Sequence, residues 1–324
     1  MPSLQPNEKQ LSAERYYTLE DANNIISTRA KISEQERSNI DFVLNVPPKW
    51  ANIAHYLYDN NPDKAKDFLA RLLKINPKAS ESAKTTELLS ILNEYSDHSV
   101  SHSKHVVKFF EDMNKLKNTP GFEAIRDIDF LLLALAVERH DVGKLGMPDR
   151  ILNPKQSIKY SKKDKKIKKT HPVLGHLILK SLGFSEDSQR SALTHHLRYI
   201  TYNGELRIVG YPVDEFKKYC KERGEKFELR DEDHLAAFAD VFSALTDSKR
   251  KSDIDGTNKI QSIKERYESA FAKMESKKYF GDEYYTNGKG APLYSAFKKA
   301  MEDFMEFKIR EEEKLEREKQ KAVA

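Results

Sequence analysis

The chain has 324 residues, 56 of them basic and 51 acidic, for a formal net charge of +5. So small an excess gives no electrostatic footprint for duplex nucleic acid. One cysteine excludes an internal disulfide and fits a reducing compartment. No apolar run nears the roughly 20 residues that span a bilayer.

The composition narrows the fold class as well. Twelve glycines and twelve prolines are too few for a turn-rich all-β chain. Lys, Glu, Ala and Leu dominate, so a helical fold of one large or two modest domains is expected. The first residues, Met1 to Glu8, lack the apolar stretch of a secretory signal. A cytoplasmic protein is the expectation, with export by a signal-less route left open.

Residues 1–45 are polar, with helical turns expected from Leu19 to Val43. Pro47-Pro48 interrupts them. Trp50, Ile53, Ala54 and Leu57 then recur at helical spacing, a turn falls at Asn60 to Asp63, and Ala65, Phe68, Leu69, Leu72 and Leu73 mark a second helix. The pair resembles a single tetratricopeptide-type hairpin. With no second copy, it is read as an ordinary hairpin packed on the domain behind it. A third helix is expected over Ala83–Asn93.

His98, His102 and His105 come next, at i, i+4 and i+7, one stripe of a helix. The apolar run Phe130–Val137 reads as a buried helix ending in Arg139-His140-Asp141-Val142-Gly143-Lys144. A neutral imidazole nitrogen beside an anionic carboxylate is a common pair for a divalent transition metal. Lys144, one turn on from His140, stands where an ammonium could meet a phosphate held there. Six lysines fall within Tyr160–Lys169, read as a solvated helical face or as a funnel for an anionic substrate. His171-Pro172 opens another helix, with proline in its first turn. His195-His196 closes an apolar one, and Gly210-Tyr211-Pro212 comes after a polar insertion over 199–209. Residues 213–233 read as charged and irregular. Ala236 to Thr246 is a small-residue apolar helix with one acid, Asp240, at its middle, a setting in which a carboxylate is paired or binds metal. A glycine-bearing loop is expected over Phe280–Pro292, and the tail after Phe307 is a solvated helix or docking arm.

The ordered series His-Ser-x-x-Val at His102, His-Asp-x-Gly-Lys at His140, Pro-Asp-x-Ile-Leu at Pro148, His-Pro-x-x-Gly at His171, His-His at His195, Gly-Tyr-Pro at Gly210 and Ala-Asp-Val-Phe-x-Ala-Leu-Thr at Ala239 resembles the HD-GYP branch of the HD phosphohydrolase superfamily. The resemblance implies an all-α, HD-type helical bundle preceded by a small helical N-terminal domain. Residues 1–95 would be a regulatory or partner-binding region, 96–305 the phosphohydrolase domain and 306–324 a charged tail. It implies two or three divalent ions, iron or manganese, held by His102, His140, Asp141, His171, His195, His196 and Asp240, with Asp141 bridging two of them. It also implies hydrolysis of the cyclic dinucleotide c-di-GMP to pGpG or GMP by a hydroxide shared between metals. Lys144 would contact the scissile phosphate, while Arg198 and Tyr211 would line the substrate site. The chain departs from the family pattern in four places. Leu197 stands where a glutamate usually follows the histidine pair, the link to Gly210 is longer, His98 replaces a glutamate of some members, and Lys249 stands where an arginine is expected, with Arg250 shifted by one. Two alternatives stay open on those departures: hydrolysis of another nucleotide, and a module that binds c-di-GMP or a protein without turnover.

Overall fold

The computed structural model describes residues 50–61, 64–152, 160–247 and 262–323. The helical turns expected over Leu19–Val43, the Pro47-Pro48 break, part of the Asn60–Asp63 turn, and Lys249 and Arg250 lie outside the described residues.

Several of the helices begin where the sequence supplies a capping side chain. The first two, α1 (Ala51–Asn60) and α2 (Ala65–Lys74), form the expected hairpin. The next, α3 (Glu81–Tyr95), starts at Ser80, whose hydroxyl accepts from the Ala83 amide. Ser96 likewise caps α4 (Asp97–Leu116), the helix carrying the histidine stripe. Asp129 accepts from the amides of Leu131 and Leu132 at the head of α5 (Phe130–Val137). A 3₁₀ turn (Val142–Gly146) and the short α6 (Asp149–Leu152) come next. The lysine-rich α7 (Lys162–Lys168) opens with a reciprocal Ser161–Asp164 capping box. It leads into α8 (His171–Ser181), which has Pro172 in its first turn, and then α9 (Glu186–Thr194).

The insertion after His196 is an antiparallel hairpin, β1 (Leu197–Tyr202) paired with β2 (Glu205–Gly210) in the register Leu197 to Gly210. Asn203 and Gly204 both have positive φ, 53° and 77°, as a two-residue hairpin turn requires. The peptide between Tyr211 and Pro212 is cis. Residues 213–233 are more ordered than expected. They form α10 (Val213–Arg223), which buries Phe216, Tyr219 and Cys220 on one face. A short link then leads to α11 (Asp231–Thr246). The chain closes with α12 (Ile263–Met274), α13 (Glu283–Thr286) inside the expected loop, and α14 (Ala291–Val323), so the charged tail is helical. Among the described residues the fold is all-α apart from one hairpin, and no helix is long and apolar enough to cross a membrane.

Among the described residues two main apolar clusters fill the interior, beside a minor one of Met147, Ile151, Leu152 and Ile167. The larger is built on Phe109, Phe110, Phe130, Phe238, Phe242 and Phe297 from α4, α5, α11 and α14. The smaller joins Trp50, Leu57, Phe68 and Leu92 of the first three helices to Val142, Leu145, Leu174 and Ile178. Single leucine-sized side chains buried this way contribute about 1.5–3 kcal/mol each. The N-terminal helices are therefore held by a core they share with the turn after His140 and with α8. Neighbouring residues of one segment enter different cores: Val173 and Leu193 the larger, Leu174 and Ala192 the smaller.

Candidate metal centre

Five segments converge where the two cores meet. His102 comes from α4, His140 and Asp141 from the turn after α5, His171 from the start of α8, His195 and His196 from the end of α9, and Asp240 from the middle of α11. All but His196 are buried, and that ring is only partly open.

Glycine makes the convergence possible. A Cβ on Gly143 would lie 1.9 Å from the His171 carbonyl oxygen and 2.5 Å from the Gly175 amide. The turn carrying His140 and Asp141 can lie this close to α8 only without a side chain there. Gly210, at φ 121°, closes the hairpin against His196 in the same way, since a Cβ would meet the His196 carbonyl at 2.1 Å.

The ring orientations share one rule. His140 Nδ1 lies 2.6 Å from the Val137 carbonyl, His171 Nδ1 2.7 Å from that of Lys168, and His195 Nδ1 2.9 Å from that of Ala192. A carbonyl only accepts, so Nδ1 carries the proton in each ring and Nε2 presents a lone pair to the centre. His102 differs. Its Nδ1 faces the Ser243 hydroxyl at 3.0 Å, which can donate or accept.

The Nε2 atoms sit among two carboxylates. One oxygen of Asp141 lies 3.4 Å from His140 Nε2 and 3.9 Å from His102 Nε2, and its other oxygen lies 3.3 Å from His171 Nε2 and 3.9 Å from His195 Nε2. Asp240 spans the centre similarly. Oδ1 is 2.8 Å from His102 Nε2 and 3.5 Å from His140 Nε2, and Oδ2 is 3.5 Å from His196 Nδ1. The donors form two groups, His102, His140, Asp141 and Asp240 in one, and His171, His195 and His196 in the other.

This arrangement fits cations between the donors. His140 Nε2 is buried and has no hydrogen-bond partner. His171 Nε2 lies 3.0 Å from His195 Nε2 and 3.2 Å from His196 Nε2. With the protons on Nδ1, the contact between His171 and His195 sets one lone pair against another, which a shared cation relieves. Nitrogen and carboxylate donors about 3–4 Å apart are what one transition-metal ion spans with bonds of about 2.1 Å.

Protonation tends the same way. Burial, and then the neighbouring histidines, hold His195 well below its ordinary value, and burial takes His196 down to about 3. His102 and His171 are lowered by burial too. Burial also opposes charge on His140, but Asp141 and Asp240 outweigh it and raise that ring. Burial would raise Asp141, yet Lys144, His140 and His171 hold it well below the usual carboxylate range, and His102 and His140 do the same for Asp240. Mostly neutral imidazoles and ionised carboxylates are the ligand forms of these groups.

Lys144 donates to Asp141 by a short ion pair, and its side chain is 14% exposed. Tyr211 packs at the rim, its ring tilted against that of His196 with centroids 4.5 Å apart, and with Lys169 Nζ 5.6 Å over it. Arg198 is set apart. It is half-buried on β1, its charge acts on Tyr285, and its Nε lacks a hydrogen-bond partner. Of the histidine stripe only His102 enters the centre. His98 pairs with Asp247 at 3.1 Å and His105 is exposed. The spanning role of Asp240 and the contact of Ser243 were not legible in the motifs, because both depend on how α11 crosses α4.

Residues 95–245 match the family model described as HD domain. The match covers a little under half of the chain. All seven converging donors fall inside it. Among curated proteins none matches the chain by sequence. Similar solved structures include the HD domain of the L. monocytogenes phosphodiesterase PgpH, and the same domain in complex with cyclic-di-AMP. Each is 16% identical to this chain, with TM-scores of 0.42 and 0.41; the matches cover 67% of this chain and 96% and 95% of those.

Proposed function

We propose that the chain is a metal-dependent phosphodiesterase of the HD-GYP kind that hydrolyses a cyclic dinucleotide, c-di-GMP being the expected substrate. One observation carries the reading. Two groups of histidine donors share two carboxylates, each with one oxygen toward either group, and a lysine stands on the same Asp141. His102, His140, Asp141 and Asp240 would hold one ion, and His171, His195 and His196 the other, with the carboxylates common to both. Two or three ions are expected, iron or manganese. Bound there, they would supply Lewis-acid stabilisation of a phosphoryl group and activation of water.

The chain's own residues do the rest. Burial of the donors excludes bulk water and strengthens every charge interaction in the centre. The Lys144 ammonium, anchored on Asp141, offers a positive charge to a phosphoryl oxygen at the partly open face. Tyr211 and Lys169 form a rim with an aromatic face and a cation, suited to a base and a phosphate. The lysines of α7 run directly into His171 and bias the approach toward anions. The region before the HD domain is proposed to serve regulation or a protein partner.

A second reading is favoured by the hairpin. β1 begins at Leu197, where the resembled family places a glutamate, so the nucleotide could differ or turnover could be absent. The test is metal content of protein purified anaerobically, with turnover of c-di-GMP, cyclic-di-AMP and a nucleoside monophosphate assayed on the same sample. Two or more equivalents of metal and cleavage of a cyclic dinucleotide are expected, with both lost in Asp141→Asn. Metal without cleavage moves the assignment to the second reading. Unchanged metal content in Asp141→Asn overturns the site.

A further inference from the structure

Arg139 immediately precedes the His140-Asp141 pair, and its side chain is only 1% exposed. A buried guanidinium needs partners. Its Nη1 donates to Glu81 Oε2 at 2.8 Å and to the Ser188 hydroxyl at 2.7 Å, and its plane lies over Phe184 with Cζ 4.8 Å from the ring centroid. Glu81 belongs to α3, outside the stretch that matches the HD model. Its other oxygen accepts from the Ser185 amide at 2.5 Å, and Ser185 and Ser188 share a hydroxyl contact at 2.9 Å. Ser188 lies on α9, the helix that ends at His195 and His196.

One carboxylate from the N-terminal helices therefore ties together the two segments that deliver His140, Asp141, His195 and His196. We infer that Glu81 is a positioning residue for the metal centre, acting through Arg139 and the Ser185–Ser188 turn. The helix α3 is then part of the working site rather than an appendage to it. The inference rests on the metal-centre reading above. Groups that orient metal ligands from outside typically change affinity by about 10–100-fold when removed. The Glu81 side chain is 38% exposed, so its carboxylate can also be reached from the N-terminal side.

The test compares Mn²⁺ affinity, by calorimetry on the full chain, and Tm across three variants. Glu81→Ala is expected to weaken Mn²⁺ binding about 10-fold. Glu81→Gln, which keeps an acceptor, is expected to fall between Glu81→Ala and the parent. Ser80→Ala removes the cap of the same helix without touching Arg139, and is expected to lower Tm while leaving Mn²⁺ affinity unchanged. Affinity within about twofold of the parent in Glu81→Ala overturns the inference, as does an equal loss in Ser80→Ala, which would reduce the effect to helix stability. If Glu81→Ala does not fold, Ser188→Ala, which removes the other partner of Arg139, is held to the same criterion. A parental chain that binds neither Mn²⁺ nor, anaerobically, Fe²⁺ overturns the metal reading itself, and this inference with it; where only Fe²⁺ binds, the same comparison is made with Fe²⁺.

Discussion

Lys144 occupies an unusual position among the charged side chains of the centre. It touches Asp141 yet is not buried, and its ammonium cannot be a ligand while protonated. Its role on the proposed reading is electrostatic, toward substrate rather than metal. Lys144→Ala is therefore expected to retain its metal and lose about 10²–10³-fold in turnover, the scale of one removed oxyanion donor. Metal analysis and steady-state kinetics on one preparation check this; parental turnover would remove Lys144 from the mechanism. At this scale the sequence was informative where the chemistry is local. His140-Asp141 and His195-His196 are adjacent pairs, and adjacency alone brings each pair to one place. It was silent on Ser243 and on Arg139, whose partners lie 141 and 58 residues away. It ranked His98 and His105 with His102, since spacing places three rings on a stripe without saying which angle of the helix faces α11.

At the scale of elements, the approach of the His140 turn to α8 depends on Gly143. A methyl there would sit inside the backbone of His171, so something must move. Gly143→Ala is expected to destabilise the fold by about 1–3 kcal/mol, the usual cost of overpacking. It should also loosen metal binding, because the displaced backbone is that of a donor. A chemical denaturation midpoint and a metal titration read the two effects separately. The helix pattern was largely legible, because caps such as Ser80, Ser96, Asp129 and Ser161 sit at the starts of periodic stretches. The hairpin and α10 were not. The Asn203-Gly204 pair between two runs of β-formers is a hairpin signal that a helical expectation overrode. Phe216, Tyr219 and Cys220 stand at i, i+3 and i+4, a helical stripe obscured by the charges around it.

For the molecule as a whole, acid should act through buried histidines as well as through the centre. His234 is 1% exposed, packed against Phe238, Tyr284 and Tyr285, and burial lowers it to about 4 from an ordinary 6.5. The unfolded chain takes up a proton at this residue below pH 6.5, while the folded chain resists until about pH 4. Stability from this group is thus complete above pH 6.5 and declines as pH falls, by about 3 kcal/mol at pH 4. Metal-free protein should show Tm falling across that window, with a shallower fall in His234→Gln. An identical slope in the variant would assign the acid sensitivity elsewhere.

The segments that carry the donors are rooted in both cores. Val173 and Leu193 are rooted in one, Leu174 and Ala192 in the other, and the carboxylates of Asp141 and Asp240 reach across the seam. Repacking either core would therefore change the spacing of the donor set, even where no donor is itself replaced.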